Sequence, residues 1–91
     1  MNSIQNTIVN ILIDDLFISV PRDDINLNDN MRDVLGLDSL GFSELRAQCE
    51  YAFGIKITDD QFTPKHFDSI ATLSALIEQL KANSAQQEAH S

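Results

Sequence analysis

The stretch Leu35-Gly36-Leu37-Asp38-Ser39-Leu40 joins a polar loop to an amphipathic helix. Asp38 or Ser39 supplies the oxygen that a helix start needs for its free N–H groups. From Ser39 the pattern runs on to Phe53. Leu45, Cys49, Ala52 and Phe53 fall on one face, and Phe42 leads in. Glu44, Arg46, Gln48, Glu50 and Tyr51 mark the other faces. Gly54 suits the left-handed residue that closes a helix. At ~1.5 Å per residue this helix is on the order of 20 Å long.

Upstream, Ile4, Ile8, Ile11, Leu12 and Leu16 recur at helical spacing, and Val9, Ile13, Phe17 and Val20 widen the stripe. A largely buried helix is expected from about Ser3, its N-cap, to about Ser19, ending before Pro21. The segment from Arg22 to about Asp33 is rich in Asp and Asn, residues whose side chains bond to nearby backbone in turns. Ile25, Leu27 and Met31 would pin this long loop to the core. Its start, Asp24-Ile25-Asn26-Leu27-Asn28, superficially suggests a calcium loop. Asp29 then stands where glycine is needed and Leu35 where a bidentate glutamate is needed, which excludes that reading.

Downstream, Thr58 and Gln61 have capping-box spacing and predict a short helix, with Pro64 at a bend and Phe62 and Phe67 beneath it. Ile70, Leu73, Leu76, Ile77 and Leu80 predict a last helix from about Ser69 to Lys81, capped by Asp68 or Ser69. The fold class expected is all-α: a small four-helix bundle of three main helices and one short one, with a long loop between the first two. Residues 1–81 form the domain. Residues 82–91 are polar and aperiodic and read as a disordered tail.

Bulk properties narrow the function. Ninety-one residues make one small domain with little room for a deep pocket. Fourteen acids against six bases give a net charge of −8. That disfavours nucleic acid and an anionic membrane surface, and suits partners with basic faces. Cys49 is the single cysteine, so there is no disulfide framework and no cysteine-based metal site. It fits the apolar stripe and reads as packing. The opening residues carry no basic region followed by a long apolar run. A soluble, cytoplasmic monomer is expected.

Ser39 invites a catalytic reading, which fails. A nucleophile elbow needs glycine two residues before and two after the serine. Gly41 fits, but the earlier position is Leu37. The histidines are His66 and His90, with neither placed near Ser39 by the pattern. No catalytic residue and no metal ligand set is assigned.

The stretch from Leu35 to Leu40, with Glu44-Leu45, Phe53-Gly54-Ile55, the order helix–long loop–helix and the acidic balance, resembles the acyl carrier proteins. The resemblance covers about Ile4 to about Leu80. It implies that a phosphopantetheinyl transferase moves 4′-phosphopantetheine from coenzyme A onto Ser39. It implies too that Asp38 assists near the transferase's metal ion and that the arm carries cargo as a thioester. Leu40 then contacts partner enzymes, with Glu44 and Glu50 as docking charges. Those partners would be acyl-loading and acyl-processing enzymes of ligase, acyltransferase or ketosynthase type.

Gly41 stands where fatty-acid carriers often have an acid, Tyr51 and Ala52 replace further acids, and Arg46 adds a positive charge. These departures suggest a specialised fatty-acid or polyketide-type pathway. An aminoacyl or peptidyl carrier and an unmodified interaction module are the alternatives. Phe42, Leu45, Phe62 and Ile77 are the candidates to line a recess for the cargo.

Overall fold

The computed structural model describes residues 2–90, with side chains through residue 83. Its elements are α1 (Ser3–Asn10), a π-helical turn (Ile11–Asp15), a 3₁₀ turn (Arg22–Asp24), α2 (Ser39–Phe53) and α3 (Ile70–His90). The domain is all-α, as its hydrophobic periods require, with no strand among the described residues.

α1 starts one residue earlier than expected. Asn2, not Ser3, is the cap: its side chain accepts the Gln5 N–H at 2.8 Å, and Gln5 Oε1 accepts the Asn2 N–H at 3.0 Å. Gln5 lies three residues after Asn2, the spacing that lets the two bonds form together. Ile8, Val9, Ile11 and Leu12 are buried, and α1 packs against α3.

The first helical segment also ends sooner than Pro21 suggested. The turn widens at Ile11–Asp15, and Phe17 adopts a left-handed backbone at φ 56°. The Leu16 N–H then bonds Ile11 O at 3.0 Å, and the Ile18 N–H reaches back to Leu12 O at 3.1 Å. Phe17 therefore closes the helix as a C-terminal glycine ordinarily does. Its ring is turned outward, 80% exposed, rather than widening the core stripe.

The loop between α1 and α2 is anchored by buried Ile25, Met31, Leu35 and Leu37, while Leu27 is partly buried. It is also stitched by backbone bonds. Met31 N–H donates to Asp68 O at 2.8 Å, Ala71 N–H to Leu27 O at 3.0 Å, and Leu37 N–H to Met31 O at 3.0 Å. Gly36 supplies the left-handed residue, φ 81°, that turns the chain into the approach to α2.

The short helix expected from Thr58 is a run of turns instead. Gln61 Oε1 accepts the Thr58 N–H at 3.0 Å, and Phe62 N–H bonds Thr58 O at 3.0 Å. Pro64 has no N–H to continue the ladder, and a new turn begins as His66 and Phe67 donate to Thr63 O. Phe62 and Phe67 meet edge to face, with centroids 5.0 Å apart. α3 starts after Ser69, whose hydroxyl accepts the Thr72 N–H at 3.2 Å while Thr72 Oγ1 accepts the Ser69 N–H at 3.0 Å. Ile70, Leu73, Leu76 and Ile77 are its buried face. The tail expected at 82–91 falls, from residue 84 on, outside the described side chains.

Candidate functional site at the start of α2

α2 begins and ends where its sequence places it. Asp38 has an extended backbone, and its Oδ1 accepts the Gly41 N–H at 2.7 Å. Its carbonyl accepts the Phe42 N–H at 2.9 Å. Asp38 is thus the cap and Ser39 the first helical residue. At the other end Gly54, φ 63°, closes the helix and donates to Glu50 O. Leu45 and Cys49 are fully buried and hold α2 to the core.

That anchoring turns the first turn outward. Ser39 is exposed, and Leu40 is 79% exposed although its neighbours Leu37 and Leu45 are buried. The Ser39 hydroxyl stands at the positive end of the helix dipole, beside N–H groups with no partner inside the helix. A phosphate ester there would be favoured on both counts. Gly41 brings the backbone close beneath the cap. A β-carbon at this position would lie 3.3 Å from Asp38 Oδ1 and 3.5 Å from Leu37 Cγ.

Ser39 also lies on the edge of a groove. Asn30, Arg32, Ser39, Phe42, Ser43 and the segment Phe62-Thr63-Pro64 with Phe67 and Asp68 enclose about 480 Å³. Phe42 and Phe62, expected to line a recess, do so. Leu45 and Ile77 do not: both are fully buried in the core. Arg32 and Asn30 were not singled out by the sequence, because only the loop's path brings them beside Ser39. On the other flank of Asp38 a smaller cleft of about 300 Å³ is bounded by Phe17, Gly36, Leu37 and Gly41.

The two candidate docking glutamates differ. Glu44 is exposed and accepts a hydrogen bond from Gln48 Nε2 at 3.0 Å. Glu50 is half-buried, and its Oε2 accepts the Ile57 N–H at 2.8 Å. Its carboxylate ties the end of α2 to the following segment rather than facing outward as expected. Arg46 is likewise drawn inward. It donates to Ile57 O through Nε at 3.1 Å, pairs with Asp59 at 3.0 Å, and lies 4.9 Å over the Phe62 ring. Both side chains are occupied because the 55–59 segment doubles back along α2.

Cys49 is no nucleophile. Burial pushes its thiol up to about 12, and the neighbouring Glu50 carboxylate adds to the rise. Among the described residues no cluster of His, Cys, Asp and Glu is arranged to hold a metal ion, and no helix is long and apolar enough to cross a membrane. His66 is not among the residues lining the Ser39 groove.

Comparison with known proteins adds two findings. A family model described as a phosphopantetheine attachment site matches residues 6–80. A solved chain from a structure described as "Crystal structure of FAD-dependent dehydrogenase" is 35% identical, with a TM-score of 0.65. The match covers 78% of this chain and 99% of that one. No curated protein matches. The prosthetic group that such a site implies is 4′-phosphopantetheine. The start of α2 fits it: an exposed hydroxyl, a helix N-terminus for the phosphate, and a groove alongside.

Proposed function

Because this chain belongs to the phosphopantetheine-attachment family of carrier proteins, we propose that Ser39 is its attachment residue and that it carries acyl intermediates as thioesters between enzymes. The observation that carries this reading is the exposed Ser39 hydroxyl in the first turn of α2, presented by the Asp38 cap. In loading, the hydroxyl oxygen bonds to the phosphorus of the pantetheine phosphate in coenzyme A. The pyrophosphate link breaks, adenosine 3′,5′-bisphosphate leaves, and the hydroxyl proton passes to a base on the transferase. The chain's own part is to hold the oxygen clear of the surface and to place the new charge at a helix N-terminus. The group then supplies the thiol on which cargo is esterified.

Asp38 fixes the geometry of the first turn and stands beside the hydroxyl for the transferase. Leu40 and Glu44 are the contacts offered to partner enzymes, being outward apolar and acidic side chains in the first two turns of α2. Those partners are a phosphopantetheinyl transferase and acyl-loading and acyl-processing enzymes. Gly41 in place of an acid, with Arg46 on α2, supports a specialised fatty-acid or polyketide-type pathway, with aminoacyl or peptidyl cargo the alternative. The similarity to a chain from an FAD-dependent dehydrogenase structure supports one further partner class, an FAD-dependent dehydrogenase.

Intact mass after incubation with coenzyme A and a broad-specificity transferase tests the reading. Wild type gains one phosphopantetheine, and Ser39→Ala gains none. An unchanged wild-type mass with a transferase active on a control carrier refutes the carrier function. Addition to Ser39→Ala refutes the assignment of the residue.

A further inference from the structure

Arg32 is a cation in the wrong place for a protein of net charge −8, unless it has an anion to meet. It lines the same groove as Ser39. It makes no ion pair; among the described residues the ion pair is that of Arg46 with Asp59. Its backbone is fixed. Asn30 Oδ1 accepts the N–H groups of both Arg32 and Asp33, at 3.0 and 2.7 Å, and Met31 beside it is fully buried. Asn30 Nδ2 in turn bonds Asp68 Oδ1 at 2.6 Å across the groove, which leaves that carboxylate a partner of its own. The guanidinium itself lies 5.7 Å over the ring of Phe42, one turn of helix beyond Ser39. Arg32 is exposed, and the ring contact keeps its charge beside the groove.

We propose that Arg32 binds the phosphodiester of the arm on Ser39 and lays the pantetheine along the groove floored by Phe42 and Phe62. This inference rests on Ser39 being the attachment residue. A guanidinium matches two phosphate oxygens at once, so it sets the arm's direction as well as neutralising its charge. The exposed Asp38 carboxylate on the other flank repels the phosphate toward the same side. Arg32 is in these terms a positioning residue for the arm. The resting arm is folded against the chain, and a partner must lift it to reach the thiol.

The test uses holo-protein prepared with coenzyme A, its loading first confirmed by mass. A chain that is not loaded refutes the carrier reading, not this one. On loaded protein, two readouts are taken: the phosphorus-31 resonance, and nuclear Overhauser contacts from the pantetheine methyl groups to the rings of Phe42 and Phe62. Wild type shows these contacts and a phosphorus shift displaced from that of the urea-unfolded holo-protein. Arg32→Ala lowers the folded-back population about two- to five-fold, as expected for an exposed charge pair. Arg32→Lys falls between, because it keeps the charge and loses the fork. Salt at about 0.5 M moves wild type toward Arg32→Ala. An unchanged melting temperature in Arg32→Ala confines the effect to the arm. Absence of ring contacts in wild type, or equal contacts and phosphorus shifts in wild type and Arg32→Ala, overturns the proposal.

Discussion

Gly41 tests how the first turn of α2 is built. In a helix, alanine is favoured over glycine by up to ~1 kcal/mol, so Gly41→Ala considered alone should stabilise the protein. The added β-carbon, however, arrives 3.3 Å from the Asp38 oxygen that accepts the Gly41 N–H at 2.7 Å. On its other side is Leu37, buried in the core and unable to withdraw. The carboxylate must move by a few tenths of an ångström and lengthen its bond. A cap of this kind contributes ~1 kcal/mol, within a range of about 0.5–2. Losing much of it cancels the gain in propensity. Gly41→Ala in wild type is therefore expected to be near neutral, within about 0.5 kcal/mol.

In an Asp38→Ala background there is no cap to disturb, and the same substitution should stabilise by close to the full ~1 kcal/mol. Asp38→Ala itself should cost about 1–2 kcal/mol, since it loses both the bond and a negative charge at the helix N-terminus. The double-mutant cycle then yields a coupling of about 0.5–1.5 kcal/mol. Urea unfolding followed by far-ultraviolet circular dichroism is the suitable assay. The chain has no tryptophan, and its one tyrosine, Tyr51, is 88% exposed and a poor reporter of folding. Each kcal/mol should also move the melting temperature by about 4–8 °C in a domain of this size. Equal stabilisation by Gly41→Ala in both backgrounds refutes the competition between β-carbon and cap.

Three other perturbations follow from single contacts. Glu50→Ala leaves the N–H of fully buried Ile57 without its acceptor and should cost about 1–2 kcal/mol in the same urea assay, with transferase loading unchanged; a larger effect on loading than on stability would contradict the internal role of Glu50. Phe17→Gly relieves a left-handed backbone that a bulky residue tolerates at about 1–3 kcal/mol, while removing a ring that is mostly solvated, so the melting temperature should rise; a fall would show that the ring packs in solution. The Cys49 thiol, pushed up to about 12, should resist thiol reagents at mildly alkaline pH until the protein unfolds. Its proton is held more tightly folded than unfolded, so its stabilisation is complete below the ordinary thiol value and is lost as pH rises toward about 12. Cys49→Ala should accordingly show a shallower alkaline loss of stability than wild type.

The sequence made α2 legible because every signal that defines it is local. Asp38 caps a residue three positions on, the apolar stripe has the helical period, and Gly54 closes the end. The end of α1 was not legible for the opposite reason. Pro21 marks where a helix must stop, but the stop at Phe17 depends on bonds reaching back to Ile11 and Leu12 and on a strained residue whose type gives no hint of it. The turns after Thr58 show a half-read signal: the bond of Gln61 to the Thr58 N–H forms as its spacing predicts, but Pro64 halts what it started. The groove was the least visible feature. Arg32 and Ser39 lie on one stretch of chain, but Phe62 is distant in sequence and joins them only because Met31 binds Asp68 and the loop is drawn over the 62–68 segment.

The same tertiary contacts decide what α2 can show to a partner. Glu50 and Arg46 appear on a helical wheel as surface charges of opposite sign, but the 57–59 segment occupies both. Leu40, Glu44, Ala47 and Tyr51 remain outward, at the spacing of a single helical stripe, and Ser39, Ser43 and Ala52 are exposed beside it. This stripe carries one carboxylate between two large apolar side chains, Leu40 at 79% and Tyr51 at 88% exposure. The charge of −8 lies elsewhere, much of it on the loop and turns around Asp14, Asp23 and Asp33. Under the proposed carrier function, long-range attraction of a basic partner would be separated from the contact face itself. An enzyme drawn in by the acidic surface would dock on a face that is mostly apolar. Selectivity among basic partners would then rest on the fit of Leu40 and Tyr51, because charge alone does not distinguish one such partner from another.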